Sequence, residues 1–147
     1  MFWQWQPPEC SMLSLLRCGR HARRFRHLRL ACGAMPVDAQ LTALCAAAAV
    51  DEAAPVRAES HNIAFAVFRV GDRHYVTQDA CTHGPGSLSE GYVEGEEIEC
   101  PFHQGRFHIP TGRPSAAPCT IPLRIWDAQV IDGRVWIDLN AGWTESE

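Results

Sequence analysis

The sequence predicts an all-β domain, a sandwich or small barrel, and three observations carry that prediction. Short runs rich in β-branched and aromatic residues appear from residue 63 onward, the clearest being Ile63–Val70 (IAFAVFRV). Tight-turn dipeptides, Gly71-Asp72 and Asp132-Gly133, punctuate them. Ten prolines and eleven glycines over 147 residues leave little room for long helices.

Taken in order, the first element is Leu41–Val50 (LTALCAAAAV). Its alanines favour helix, but propensity is a weak prior over so short a run; it is expected to be a first strand running into a turn. Ile63–Val70 is the second strand, and Arg73–Thr77 (RHYVT) returns after Gly71-Asp72. Gly95, between Glu94 and Glu96, marks a third tight connection. Ile121–Val130 reads as a strand that passes through Ile131 into the Asp132-Gly133 turn. Arg134–Leu139 comes back with Val135, Ile137 and Leu139 on one face and Trp136 on the other. There is no internal repeat.

Hydrophobic residues make up 46% and charged residues 20%, enough apolar material for a packed core. No apolar stretch approaches the roughly 20 residues of a membrane helix, so no membrane partner is expected. The formal charge of −4 argues against nucleic acid. That charge is unevenly spread. Residues 1–34 hold six arginines against Glu9, whereas 35–147 hold seven arginines against sixteen acids. The absence of lysine reads as genome composition bias.

The basic arm contains the pair Arg23-Arg24, but the arginines and histidine that follow leave no apolar targeting region. An arginine-rich, acid-poor arm also fits a mitochondrial transit peptide. The preferred expectation is that Met35 is the natural start and that 1–34 is an extension, disordered or foreign to the native protein. Residues 35–147 are then the functional domain. Seven scattered cysteines, an odd count, do not make a secreted disulfide framework. A reducing cytoplasm with thiolates kept for metal fits them better.

The chemistry lies in two short segments. Cys81-Thr82-His83-Gly84-Pro85-Gly86 precedes Cys100-Pro101-Phe102-His103, with sixteen residues between His83 and Cys100. Thiolate and imidazole together suit zinc or iron. Each segment sets one sulfur beside one nitrogen, unlike the Cys-x(2–4)-Cys and His-x(3–5)-His pairs of zinc fingers. The arrangement suits a dinuclear cluster whose two irons need different ligands. A mononuclear Cys₂His₂ zinc module remains the alternative.

These two segments resemble the cluster loops of Rieske iron–sulfur proteins, and the chain from about Leu41 to Trp143 is similar to the Rieske ferredoxins of bacterial aromatic-ring-hydroxylating dioxygenase systems. The resemblance implies a Rieske-type β-sandwich with a small cluster-binding subdomain at one tip and one [2Fe–2S] cluster. It assigns Cys81 and Cys100 to the inner iron and His83 and His103 to the outer one. It makes Gly112–Pro118 the third, proline-bearing loop that covers the cluster. High-potential Rieske proteins carry an additional disulfide and two hydroxyl donors. The matching positions here are Gly86 and Phe102, and Gly105 and Phe107, which supply neither. Hydrogen bonds to cluster sulfurs favour the reduced state, so the expected potential lies near the low end, about −150 mV. His108 stands where the related ferredoxins commonly carry aspartate.

Only eight residues follow Leu139, and His61, His74 and His108 show no spacing for a mononuclear iron site, so an electron carrier is expected rather than an enzyme. The implied partners are a ferredoxin reductase and a terminal ring-hydroxylating oxygenase. The small Rieske subunit of an assimilatory nitrite reductase is the alternative within the family. Gly84, Pro85, Phe102, Gln104 and Pro118 are expected at an apolar tip. Glu90, Glu94, Glu96, Glu97 and Glu99 form a run that either steers a basic partner or is simply a solvated surface. Cys45 and Cys119 are read as small buried side chains.

Overall fold

The computed structural model describes residues 40–145. The basic extension 1–34 lies outside the described residues. The strands are β1 (Leu41–Ala46), β2 (Val56–Ser60), β3 (Ile63–Val70), β4 (Arg73–Gln78), β5 (Tyr92–Glu94), β6 (Glu97–Glu99), β7 (Arg106–His108), β8 (Pro114–Ala116), β9 (Ile125–Trp126), β10 (Gln129–Ile131) and β11 (Arg134–Asp138). They form three antiparallel sheets ordered β1-β11-β10, β2-β3-β4-β9 and β5-β6-β7-β8.

β3 explains how the sheets layer. Its four central residues, Phe65 to Phe68, are all buried, because this strand is covered on both faces. Side chains alternate across a strand, so Phe65 and Val67 enter one core with Val76, Trp126, Val135 and Ile137. Ala66 and Phe68 enter the other, with Leu88, Ile98, Phe107, Ile109 and Leu123. The central sheet thus packs between the other two. Phe65 meets Trp126 edge to face with ring centres 5.0 Å apart, a favoured aromatic geometry.

The turns follow the sequence closely. Asp132 and Gly133 both have positive φ (50° and 72°), the type I′ pattern that matches strand twist. Gly71 and Gly95 open two-residue turns at φ 58° and 63°. Leu41–Ala46 is a strand followed by a single 3-10 turn, Ala47–Ala49; pairing with β11 overrides the helix propensity of the alanines.

One expectation needs correction. Ile121–Val130 is not a single strand. Pro122 lacks an N–H for a ladder, and the chain instead forms β9 against β4 and then β10 against β11. Asp127 and Ala128 carry it from one sheet to the next. The sequence reading also missed the β2–β3 hairpin, whose turn residues His61 and Asn62 have φ of 52° and 62°.

Candidate metal centre

The two cysteine–histidine segments are loops of the same construction. The first follows β4 and closes where the Cys81 N–H donates to the Gly86 carbonyl at 2.9 Å. The second follows β6 and closes where the Cys100 N–H donates to the Gly105 carbonyl, also at 2.9 Å. Gln104 takes the left-handed conformation at φ 58°, which lets its N–H reach the Cys100 carbonyl at 3.1 Å.

Within the pair of loops, sulfur lies inside and nitrogen outside. Cys81 and Cys100 are 6% and 2% exposed and belong to the same buried cluster, whereas His83 and His103 are exposed. A Cβ on Gly86 would meet both Cys100 Sγ and Cys81 Cβ, at 2.5 and 3.7 Å, so the two cysteines flank one point. The two imidazoles stand nearly perpendicular with ring centres 4.9 Å apart. Among the described residues no three His, Cys, Asp or Glu side chains converge on a single ion; the four donors pair two and two. Burial pushes the Cys100 thiol pKa up, outweighing the N–H groups of Phe102 and His103, which point at its sulfur and pull it down.

Glycine makes this packing possible. A Cβ on Gly86 would come within 2.5 Å of Cys100 Sγ, and a Cβ on Gly105 would overlap Cys119 Sγ. The same virtual Cβ on Gly86 would touch the Phe102 ring at 3.4 Å, so the two positions that the resemblance paired as a missing disulfide do face each other. Phe102 is 56% exposed, and Gly84, Pro85, Gln104 and Pro118 join it at the surface as half-buried or exposed residues.

One contributor escaped the sequence reading. Asp79, 3% exposed, accepts hydrogen bonds from the Ser87 hydroxyl and, at 2.9 Å, from the Ser89 N–H. Its own carbonyl accepts the Leu88 N–H at 2.8 Å. It therefore ties the entry of the first loop to its exit; a carboxylate two residues before the cysteine is the signal that marks it. Cys119 is a small buried side chain, as expected, with its Sγ packed against Gly105. Its pKa is pushed up to about 12, first by burial and then by the neighbouring thiols.

His108 forms no part of this constellation. Its ring meets Thr111 Oγ1 at 2.8 Å and Glu96 Oε2 at 3.3 Å. His61 sits beside the Ser60 hydroxyl, and His74 approaches the Ala47 carbonyl. The acidic run is also largely engaged. Arg106 holds Glu94 and Glu99 at 2.7 Å and Glu97 at 3.6 Å, which leaves Glu90 without an ionic partner among the described residues.

The Rieske [2Fe-2S] domain model matches residues 40–127, a span that contains both loops. The chain is a Rieske [2Fe–2S] protein. Among curated relatives of this Rieske chain, the ferredoxin CarAc of Metapseudomonas resinovorans is 53% identical over 72 residues, 49% of this chain and 67% of the relative. The ferredoxin component of the p-cumate 2,3-dioxygenase system of Pseudomonas putida is 41% identical over 103 residues, 69% of this chain and 87% of the relative. Among solved structures, a chain of the complex of reduced oxygenase and oxidized ferredoxin in carbazole 1,9a-dioxygenase superposes with a TM-score of 0.64 at 42% identity, covering 73% of this chain and 97% of that one. A putative NADPH nitrite reductase small subunit is 22% identical with a TM-score of 0.55, a likeness of fold alone.

Membership in this family implies one Rieske-type cluster, and the observed donor set fits it. Soft sulfurs are buried and paired, imidazoles are exposed and paired, and amide N–H groups are aimed at sulfur.

Proposed function

We propose that this chain is the ferredoxin component of an aromatic-ring-hydroxylating dioxygenase system, carrying single electrons from an NAD(P)H-dependent reductase to a terminal oxygenase. In this reading Cys81 and Cys100 hold the inner iron, and His83 and His103 hold the outer one. A [2Fe–2S] cluster bound there supplies reversible one-electron exchange. The chain does the rest. Cys81 and Cys100 anchor the site in the apolar core and keep water from the sulfurs. His83 and His103 project from the protein surface, so an electron leaves over a short path to a docked partner. The Phe102 ring lies 6.2 Å from that of His103, and exposed Pro85 and Pro118 add apolar surface suited to brief contact.

One observation carries the proposal: a buried thiol pair lies behind an exposed imidazole pair, on a chain whose relatives are named as ferredoxin components. No helix among the described residues is long and apolar enough to cross a membrane, and the cytoplasm is the proposed compartment. Mixing the reduced chain with a terminal ring-hydroxylating oxygenase under stopped flow is the test. Oxidation of the chain matched by reduction of the oxygenase is expected. Failure of electrons to pass to any such oxygenase, while a nitrite reductase accepts them, would overturn the proposal.

A further inference from the structure

The chain changes sheets at Asp127-Ala128, and the change opens a wedge. β9 pairs with β4 where Ile125 and Trp126 face Thr77 and Val76; past them the chain leaves β4 and forms β10 against β11. The first residues of β4, Arg73–Tyr75, are left with a bare edge. The Gln78 N–H donates to the Arg124 carbonyl at 2.9 Å, so alternate residues of β4 turn their backbone groups away from β3. His74 is one of them, and its N–H and carbonyl face the wedge. β10 borders the wedge from the other side, as the edge of the β1-β11-β10 sheet. The two-residue turn at Asp132-Gly133 makes Ile131 and Arg134 the closing hydrogen-bonded pair. The N–H and carbonyl of Val130 therefore point away from β11. Among the described residues, neither His74 nor Val130 makes a backbone bond across the wedge.

Between the two edges lies a cavity of about 390 Å³, within the range of ligand pockets. Trp126, Val130 and Trp143 line it, and Val130 and Trp143 are 51% and 41% exposed. Asp72 and Asp127 line it too, and neither has an ionic partner among the described residues. Arg73, in the same lining, offsets one of the two carboxylates and leaves the wedge net acidic. A bare strand edge offers main-chain hydrogen bonds, and an apolar hole beside it takes every second side chain of an added strand. Carboxylates beside tryptophan favour a cationic side chain at either end.

We propose that the wedge is a docking site for an extended, net-basic segment of a partner protein. The segment adds to β10 as a further strand, with apolar side chains in the cavity and Arg or Lys side chains at Asp72 and Asp127. β4 has the wedge at its start and the first cysteine–histidine loop after its end, so a partner tethered here leaves the tip free. The docking is independent of what the tip binds. It is tested on the full chain with a fluorescent probe peptide, Arg-Thr-Val-Thr-Phe-Thr-Arg, whose Arg, Val and Phe side chains share one face of a strand. Two further versions of the probe carry N-methyl groups on one or the other alternate set of amides, since the amides of a strand point to its two edges in turn.

Fluorescence anisotropy is expected to show saturable binding with a Kd below about 1 mM. One methylated probe should bind about tenfold or more weakly, and the other nearly as well as the parent. Replacing both probe arginines by glutamate should weaken binding by about tenfold, and Asp72→Asn combined with Asp127→Asn by about threefold or more. Val130→Pro removes the outward N–H, a change that edge strands tolerate; about tenfold weaker binding is expected, with melting temperature and visible absorbance unchanged. The methylated pair reads strand addition on the wild-type chain, so its result stands whether or not the proline variant folds. No binding at about 1 mM probe would overturn the proposal. So would equal binding of the two methylated probes, which would mark a cavity for side chains or small molecules alone. A dimer of the chain that Val130→Pro dissolves would overturn it as well, since a second copy would then hold the edge.

Discussion

A methyl group at position 86 would sit 2.5 Å from the sulfur of Cys100, far inside contact distance. Gly86→Ala therefore forces the two loops apart, an overpacking cost of about 1–3 kcal/mol applied at the point where the thiols must meet. The variant is expected to keep the far-ultraviolet spectrum of the wild type and to lose most of its visible absorbance per chain. Gly95→Ala is the matching control. Nothing lies near its Cβ, but φ is 63°, so about 1 kcal/mol of stability is lost with cluster content unchanged. Equal cluster loss in both would show that Gly86 has no special role. The four proposed ligands were legible in the sequence because Cys-x-His and Cys-x-x-His occur together, with Gly and Pro on both loops. Cys119 was legible only as a small buried side chain, because a single cysteine after proline has no spacing relation to the others; the fold puts it in the same buried cluster as Cys81 and Cys100.

At the scale of elements, Asp79 braces the first loop. Asp79→Ala leaves the Ser89 N–H without its acceptor and the Ser87 hydroxyl with only Ser89 Oγ, a loss of about 1–3 kcal/mol. Thermal unfolding should move to lower temperature, and release of iron to a chelator should accelerate; Asp79→Asn, which keeps one acceptor oxygen, should fall between. A chelation rate unchanged in Asp79→Ala would separate this brace from the site. The β3–β4, β5–β6 and β10–β11 hairpins and β3 were readable because turn residues and continuous apolar runs are local signals. The split of Ile121–Val130 was not. Ile125 and Trp126 are consecutive, yet Ile125 serves one core and Trp126 the other. An alternating pattern shows that a residue is inward, but not which sheet its strand joins.

The whole molecule carries a net charge of −4, and its acidic run is only partly neutralised by ion pairs. Glu94, Glu97 and Glu99 are held by Arg106 and Glu96 meets His108. One guanidinium offsets only one of the three carboxylates it holds, and residues 35–147 carry seven arginines against sixteen acids, so the acidic body is expected to steer a basic partner to the apolar tip. Between about 0.01 and 1 M salt the Debye length falls from about 30 to 3 Å. Over that range the rate of reduction by a basic partner reductase should slow by about tenfold or more, whereas an encounter without steering would change by no more than about threefold. The domain proposed for 35–147 contains every site residue, so a chain starting at Met35 is expected to bind the same cluster and to melt at the same temperature as the full chain.

Iron and acid-labile sulfide content per chain, measured on protein purified without air, tests the central claim most directly. The account predicts two of each, brown-red colour, and an electron paramagnetic resonance signal that appears on reduction. It also predicts that Cys81→Ser and Cys100→Ser each abolish all three. A colourless protein with one zinc and no sulfide would contradict it.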